Sequence, residues 1–303
     1  MAEIVGVGHS CLDHICTVEH YPKEDDSTHI TSISYQGGGA VATAMAAASR
    51  LGRRAAFIGN IGPDMVSREI VRLFDMDGVS TRHMVRLPDV TGLESFVMVN
   101  PQNGSRTKFP QRDTTAPIVW TDELRRVVQE AAILHLDGTH YENAVQAARI
   151  AREAGVTVSL DGCSMQIDNE KNRRLASMAD ILIMNAKYPL RVSGKGGHRE
   201  ALLEMAAWGP RTLMCTLGGQ GVLAVIGGRV EAFPAYEVDV VDTTGAGDVF
   251  HGAFLAGLLE GMDLRRNIRF AAAAAALKCT RPGGRAGIPD RETALRFMEE
   301  RRA

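Results

Sequence analysis

The sequence has few of the features that mark secreted, membrane-spanning or nucleic-acid-binding proteins. Five cysteines among 303 residues are scattered and odd in number, which argues against a disulfide framework and favours reduced thiols. The N-terminus lacks a basic segment followed by an apolar one, and no apolar run approaches the roughly 18 residues of a membrane span. A net charge of -2, with Lys and Arg dispersed along the chain, gives no electrostatic reason to expect DNA or RNA. We therefore predict a cytoplasmic protein without membrane or nucleic-acid partners.

Short β-branched runs alternate with amphipathic stretches along most of the chain. The runs are typical of buried parallel strands and cover residues 4–7, 55–58, 133–136, 156–160, 181–184 and 212–216. Helical patterns cover residues 41–51, 65–76, 121–131, 142–154 and 199–207, followed by 246–278 with a break at 261–263 and a closing helix from 289. This alternation predicts an α/β, doubly wound, three-layer fold.

Two regions break the alternation. Residues 15–36 and about 92–110 alternate apolar and polar side chains and contain turn signals such as Asn103-Gly104, as half-exposed strands do. We predict that they form a small β-sheet lid on the main sheet. The chain shows no internal repeat and no linker, so we expect one domain over residues 1–303.

The most informative segment reads Asp242-Thr-Thr-Gly-Ala-Gly-Asp248 and precedes a helical pattern. Its small residues allow backbone N–H groups to gather at the start of a helix, where unpaired donors and a partial positive charge suit a phosphate. Asp248 in the first turn has two interpretations. It is either a helix cap, or a base that accepts the proton of an attacking hydroxyl.

A second glycine-rich segment, Thr216-Leu-Gly-Gly-Gln-Gly221, follows a buried strand. It therefore lies at the carboxyl edge of the predicted sheet, where open α/β folds bind ligands. A hairpin turn is the alternative interpretation of these glycines.

These segments resemble the ribokinase family, also called the phosphofructokinase-B family of carbohydrate kinases. Residues 242–248 resemble its C-terminal signature, and the resemblance extends over essentially the whole chain. The other matching motifs are Gly8 with Asp13, the glycine signature Gly37 to Gly39, the turn Gly62 to Asp64, and the nucleotide loop Thr216 to Gly221. Residues 238–290 look especially similar to bacterial sulfofructose kinases.

The resemblance implies a ribokinase-like fold and an ATP-dependent sugar kinase with Asp248 as general base. It implies an anion hole at Gly245, Ala246 and Gly247, and sugar contacts from Asp13, Gly38, Gly39, Thr43 and Asp248. It implies nucleotide contacts from Asn185, Thr216, Gly218, Gly221, Gly245 and Gly247. Mg²⁺ would bridge the ATP phosphates, and carbonyls of the loop 278–290 together with Asp242 and Thr244 would hold a monovalent cation such as K⁺.

Two positions depart from the family pattern. Tyr188 stands where many relatives carry the glutamate of an Asn-x-x-Glu motif linked to magnesium, and a phenol cannot replace that carboxylate. Asn185 of the same motif is either a phosphate contact or a turn residue at a strand end. Thr43 occupies the place of a frequent asparagine, which changes the hydrogen bonds offered to a sugar.

The lid carries three cationic side chains, Arg106, Lys108 and Arg112, which are either solvated charges or contacts for an anionic substrate. In many relatives the lids of two subunits pair, so the resemblance implies a homodimer. We expect a ketose such as fructose, or a sulfo- or phosphosugar, as the acceptor. The alternatives are a nucleoside or ketodeoxy-sugar-acid kinase, and a non-catalytic sugar or nucleotide sensor.

Overall fold

The computed structural model describes residues 1–100, 102, 106–111, 116–163 and 168–301, and its elements follow the predicted alternation. The strands are β1 (Ile4–Val7), β2 (Cys11–Val18), β3 (Ile30–Gly38), β4 (Ala55–Ile58), β5 (Asn60–Ile61), β6 (Val85–Arg86), β7 (Leu93–Val99), β8 (Arg106–Pro110), β9 (Ile133–Leu136), β10 (Thr157–Gly162), β11 (Ile181–Asn185), β12 (Thr212–Thr216), β13 (Val222–Ile226) and β14 (Arg229–Phe233). The helices are α1 (Ala40–Arg50), α2 (Met65–Met76), α3 (Asp122–Gln129), α4 (Tyr141–Glu153), α5 (Asn169–Ala176), α6 (Lys187–Ser193), α7 (His198–Ala206), α8 (Ala246–Leu259), α9 (Leu264–Cys279) and α10 (Arg291–Glu300).

The main sheet has eight strands in the order β14-β13-β12-β11-β10-β9-β1-β4. Its six strands from β12 to β4 run parallel, and nearly all of their residues are buried, as expected for strands covered on both faces. The sheet is mixed, because it also contains the antiparallel hairpin β13-β14, which the sequence pattern does not predict. The predicted three-layer α/β fold is otherwise confirmed.

Helices cover both faces of this sheet. On one face α1, α8 and α9 enclose a core that includes Phe57, Phe254 and Phe270. On the other face α3, α4 and α7 enclose a second core around Leu134 and Leu182. Successive residues of β1 point to opposite cores, as the two-residue period of a strand requires.

A second sheet of four strands, in the order β3-β2-β7-β8, forms the predicted lid. Its first strand begins at Cys11 rather than at residue 15, because the chain leaving β1 turns directly into β2. The lid therefore carries Asp13 within a strand, paired with Gln36 and Ser95, and not at the end of a main-sheet strand. The predicted turn at 103–104 and Arg112 lie outside the described residues.

Three further details differ from the sequence analysis. Residues 235–241, which alternate in polarity, form no strand, and helices α5 and α6 were not predicted. Both helices are short, with 8 and 7 residues, and α5 is strongly polar, so each lacks a clear apolar stripe. Among the described residues, no helix is both long and apolar enough to cross a membrane.

Candidate active site

The segment 242–248 forms a tight turn at the N-terminus of α8. Gly245 is the N-cap and has a φ of 74°, a left-handed conformation that favours glycine. A side chain there would also crowd Gly284 of the C-terminal loop. Gly247 faces open space, and it belongs to the first turn, whose N–H groups have no acceptor within the helix. The predicted anion hole therefore has room for a phosphate at Gly247, while the Ala246 N–H donates to the Thr243 carbonyl over 3.2 Å.

The position of this turn depends on how α8 packs against α1. Gly252 lies so close to α1 that a Cβ would overlap the Ala44 carbonyl and the Ala47 methyl. The two helices bury their small residues against each other over this contact. Both begin at glycine N-caps, Gly39 and Gly245, at the carboxyl edge of the main sheet.

Asp248 lies in the first turn of α8, half-buried, with its carboxyl among other acids. Burial, and then the charge of Asp161, raise the pKa of Asp248 from 3.8 to about 7, although the charges of His251 and Lys108 act in the opposite direction. A carboxyl with a pKa near the working pH suits proton transfer, because it is ionised yet basic enough to accept a proton. Gly245 is the N-cap of α8 and Asp248 is the third residue of the helix, so Asp248 is not the cap residue, and its role as base stays a prediction.

A buried layer of polar side chains lies behind Asp248. Asp161, at the end of β10, has its Oδ1 3.3 Å from Nε2 of His251. Burial alone would raise the pKa of Asp161, but the charge and hydrogen bond of His251, together with His135 and Cys163, outweigh burial and lower that pKa. The ring of His135 lies 5.3 Å from that of His251, and burial together with His251 lowers the pKa of His135 to about 3. His135 is therefore neutral, while Asp161 places a fixed negative charge behind the base.

The sugar side of the site is built around Asp13 and the glycines before α1. A Cβ at Gly38 would overlap the Asp13 carboxylate, and one at Gly39, whose φ is 97°, would overlap the His9 carbonyl. Burial raises the pKa of Asp13, while the charge of Lys108 lowers it. The structure thus brings Asp13, Gly38 and Gly39 into contact, as the resemblance implies.

Arg285 forms buried hydrogen bonds with this glycine turn. Its guanidinium, which is 4% exposed, donates to the carbonyl of Gly38 over 3.3 Å and to Asp77 Oδ2 over 3.0 Å. It also donates to the Thr43 hydroxyl over 3.4 Å. Because Thr43 is only 2% exposed and already bonded, the structure does not bring its hydroxyl to the surface where a sugar contact was predicted. That contact stays a prediction.

A narrow cleft opens at the carboxyl ends of β1, β4 and β9. Its lining includes Gly8, Asn60, Asp137 and His140. Asp137 is buried and accepts hydrogen bonds from the backbone N–H groups of His9 and Thr139, at 3.3 and 2.9 Å. The charge of Asp137 also raises the pKa of Asp248, so the cleft lies close enough to Asp248 for the two carboxylates to interact.

The lid reaches the anion-hole turn through Arg106 on β8. Its Nη1 lies 2.6 Å from Asp242 Oδ1 and also contacts the Thr244 hydroxyl, and its Nη2 donates to the Thr243 hydroxyl over 3.0 Å. This side chain is therefore an ion-paired contact between lid and turn, and the alternative of a purely solvated charge is wrong for it. Its neighbour Lys108 is exposed on the same strand, and its charge lowers the pKa of both Asp13 and Asp248.

The predicted monovalent-cation shelf is surrounded by donors of the protein itself. Besides Arg106, the Asp242 carboxylate accepts from the N–H groups of Thr244 and Gly283, at 2.8 and 2.7 Å. Burial alone would raise the pKa of Asp242, but these donors outweigh it and lower the pKa. The Asp242 carbonyl accepts from Lys278 Nζ over 2.7 Å. The oxygens that would bind a monovalent cation here, the carboxylate and the carbonyl of Asp242, are thus already bonded to cationic side chains.

On the nucleotide side, residues 216–221 form the turn between β12 and the antiparallel β13. The hairpin interpretation is correct for the backbone, and the turn still lies at the carboxyl end of β12. Gly218 and Gly221 have φ values of 58° and 91°, and a Cβ at Gly221 would overlap the Phe233 carbonyl. Open space surrounds Gly218 and Gly219, so a ligand can approach this backbone closely. Thr216 Oγ1 donates to the Met184 carbonyl over 3.3 Å.

Asn185 and Tyr188 both serve the fold. Asn185 Oδ1 accepts from the N–H groups of Lys187 and Tyr188 at 3.0 and 3.1 Å, which caps α6. Tyr188 is 2% exposed, and its hydroxyl donates to the Asn172 carbonyl over 3.3 Å. Burial raises the pKa of this phenol, so it stays neutral. The departure at Tyr188 therefore removes a carboxylate from the site and replaces it with a core side chain.

Sequence reasoning missed five side chains around this site: Asp137, Asp161, His251, Lys278 and Arg285. Asp137 follows β9 and Asp161 lies near the carboxyl end of β10, and acids at this edge of a parallel sheet are a usable signal for a ligand site. His251 lies three residues after Asp248, a spacing that places both on one helix face. Nothing in the local sequence reveals the burial of Lys278 and Arg285, because that depends on long-range packing.

Comparisons with known proteins agree with this geometry. A sequence model described as "pfkB family carbohydrate kinase" matches residues 1–291. The chain is 30% identical to a ribokinase of Haemophilus influenzae, over 95% of each chain, and 26% identical to a nucleoside kinase of Methanothermobacter thermautotrophicus, over 97% of this chain and 94% of the other.

Among solved structures, the Arabidopsis thaliana ribokinase complexed with ribose and ATP is similar, with a TM-score of 0.87 and 26% identity. The match covers 98% of this chain and 99% of the other. The two chains therefore share one fold over almost their whole length. This chain belongs to the pfkB family of carbohydrate kinases, which are phosphotransferases that act on an alcohol group.

Proposed function

We propose that this kinase transfers the γ-phosphoryl group of ATP to a sugar hydroxyl, with Asp248 as the general base. The observation that carries the proposal is the carboxyl of Asp248, with a pKa of about 7, in the first turn of α8 beside the open anion-hole turn. A base and a set of phosphate-binding donors on one helix terminus meet the two needs of phosphoryl transfer to an alcohol.

The residues divide the chemistry as follows. Asp248 accepts the proton of the acceptor hydroxyl while that oxygen forms its bond to the γ-phosphorus and the bond to the ADP oxygen breaks. The N–H groups at Gly245, Ala246 and Gly247 stabilise the charge on the transferring phosphoryl oxygens. We expect ATP to bind as its Mg²⁺ complex, and Tyr188, which is buried and supplies no carboxylate, would not help to hold that metal.

The two substrates would occupy neighbouring parts of the carboxyl edge. ATP would lie along residues 216–221 with its phosphates toward Gly247, where open space surrounds the glycines. The sugar would lie between Asp13, Gly38 and Gly39, covered by the lid. We propose that residues 1–303 form one catalytic domain in which lid closure excludes water and so suppresses ATP hydrolysis. The five free cysteines support a reducing, cytoplasmic location.

For the acceptor we propose a ketose such as fructose, or a sugar that carries a sulfonate or phosphate group. Lys108 supports an anionic acceptor, because its charge acts on Asp13 and Asp248 at once and therefore lies near both. Because similar proteins include ribokinases and a nucleoside kinase, ribose and nucleosides are alternative acceptors for this chain, as are ketodeoxy-sugar acids.

An ADP-release assay coupled to NADH oxidation decides between these acceptors. It should be run with fructose, sulfofructose, fructose 1-phosphate, fructose 6-phosphate, ribose, a ketodeoxy-sugar acid and nucleosides. We expect one class to give turnover, and we expect Asp248→Asn to lower kcat by several orders of magnitude while ATP still binds. Turnover that Asp248→Asn leaves unchanged would refute the role of the base. If no acceptor gives ADP while ATP or sugar still binds, the protein is a sensor.

We also propose a homodimer formed through the lid. One face of the lid, opposite Asp13, carries a row of aromatic rings across its four strands: Tyr35, His14, Phe96 and Phe109. Tyr35, Phe96 and Phe109 are 52%, 42% and 55% exposed, and an exposed aromatic row on a sheet is typical of an interaction surface. A second copy would cover these rings and protect the edge strand β3.

Light scattering after size-exclusion chromatography tests the dimer. We expect the wild type to have twice the chain mass and Phe96→Glu to be monomeric. Val119→Glu is the matched control, because Val119 is an exposed apolar residue away from the lid, at 71% exposure. A monomeric wild type at micromolar concentration would refute the proposal.

A further inference from the structure

Lys278 is a fully buried lysine that no part of the proposed chemistry uses. It lies at the end of α9, is 0% exposed, and donates from Nζ to the backbone carbonyl of Asp242 over 2.7 Å. Burial lowers the pKa of Lys278, while the charge of Asp242 acts in the opposite direction. A buried ammonium costs free energy unless it is paired, so its placement at this carbonyl calls for a role.

The Asp242 peptide is the first unit of the anion-hole turn, and the end of α9 holds it on both sides. The Cys279 carbonyl accepts from the N–H groups of Val241 and Asp242, at 2.8 and 3.1 Å. On the other side of the same residue, Lys278 Nζ donates a hydrogen bond to the Asp242 carbonyl. Together these bonds fix the direction in which the chain enters residues 243–247.

A monovalent metal ion does not fit this place. Proteins hold K⁺ with several carbonyl oxygens that replace its hydration shell. Here the Asp242 carbonyl is occupied by an ammonium, and both carboxylate oxygens of Asp242 accept from Arg106, Thr244 or Gly283. A bound K⁺ would add a third positive charge beside the Lys278 ammonium and the Arg106 guanidinium.

We propose that the ammonium of Lys278 is a built-in cation of the anion-hole turn, and that it makes phosphoryl transfer independent of K⁺. Lys278 is a positioning residue: it acts through the Asp242 carbonyl and does not touch the substrate. Its compact charge on a long apolar stem allows it to reach the carbonyl from within the helix layer. The effect on kcat rests on the proposed function, whereas the effect on ATP affinity can be measured without it.

The test compares ion dependence in the wild type and in two variants. ATP-dependent turnover and ATP affinity are measured in 100 mM KCl, NaCl or tetramethylammonium chloride, with thermal unfolding in the same salts. We expect wild-type kcat to differ less than twofold between the salts. Lys278→Met keeps the buried stem but removes the charge, and its kcat should fall about 10-fold to 10³-fold, up to the value of one oxyanion-hole donor.

Lys278→Ala opens room for an external cation, so ammonium, methylammonium or K⁺ should restore part of kcat and raise the melting temperature. Exposed Lys171→Met is the matched control and should show neither effect. A wild type that K⁺ activates several-fold over Na⁺ would overturn the proposal, as would a Lys278→Met variant with normal kcat and ATP affinity. If no acceptor is phosphorylated, the proposed function fails, whereas ATP affinity and melting temperature in the three salts still decide the role of Lys278.

Discussion

Replacing Asp248 by asparagine should stabilise the folded protein above pH 7 while it abolishes phosphoryl transfer. The pKa of this carboxyl is about 7 in the folded chain against an ordinary value of 3.8. A carboxyl whose pKa is raised by folding contributes fully to stability below pH 3.8, and this contribution is lost as the pH rises through 7. At about 1.4 kcal/mol per pKa unit, ionised Asp248 costs the folded state about 4 kcal/mol.

Asparagine has nearly the same shape and no charge, so Asp248→Asn avoids this cost. We expect the free energy of unfolding of the variant to exceed that of the wild type by an amount that grows between pH 4 and pH 7 and is then constant. For a chain of 303 residues, 4 kcal/mol corresponds to an increase of about 6 °C in melting temperature at pH 8.

Urea unfolding followed by circular dichroism at pH 4.5, 6 and 8 measures the difference. Asp89→Asn, at an exposed loop position, is the matched control and should show little change with pH. If the stability difference between Asp248→Asn and the wild type does not change with pH, or if the variant is less stable at pH 8, burial and Asp161 do not raise the pKa of this carboxyl as described.

Three further predictions concern its surroundings. Asp161 raises the pKa of Asp248, so Asp161→Asn should move the acid limb of the pH profile of kcat/KM to lower pH. His251 lowers the same pKa, so His251→Asn should move that limb to higher pH. Shifts of the same sign in the two variants would contradict this prediction. Gly252→Ala should cost about 1–3 kcal/mol in urea unfolding because its Cβ overlaps the Ala44 carbonyl, while the exposed Gly196→Ala should be neutral. Tyr188→Phe should lose about 1 kcal/mol of stability with its hydrogen bond to Asn172, yet leave the Mg²⁺ dependence of turnover unchanged; an altered Mg²⁺ dependence would place the phenol in the site.

Periodicity was sufficient for most of the fold. The strand at residues 55–58 and the helix at 65–76 have the bounds that their patterns predict, because both elements bury a clear apolar face. The hairpin of β13 and β14 was missed since its two short strands adjoin a strand of the parallel series and no helix separates them. Helix α5 was missed because it is mostly polar.

The site was predictable only where a glycine or an acid follows a strand or begins a helix. Gly245, Gly221 and Gly39 fall in this class, and each has the positive φ that explains the residue. The functions of buried charges were not predictable. Lys278 and Arg285 read as the basic end of a helix and a loop residue, and only packing shows that they are buried beneath the two halves of the site.

The C-terminal loop that carries Arg285 touches both halves. Arg285 holds the Gly38 carbonyl on the sugar side, while Gly283, two residues earlier, donates to Asp242 on the phosphate side. Gln36 of the lid strand β3 binds the same loop at Pro282 and Arg285. If this loop shifts on sugar binding, we expect the free energy of ATP binding to change, and by thermodynamic linkage ATP would change the affinity for the sugar by the same factor. We therefore expect the two substrates to bind cooperatively.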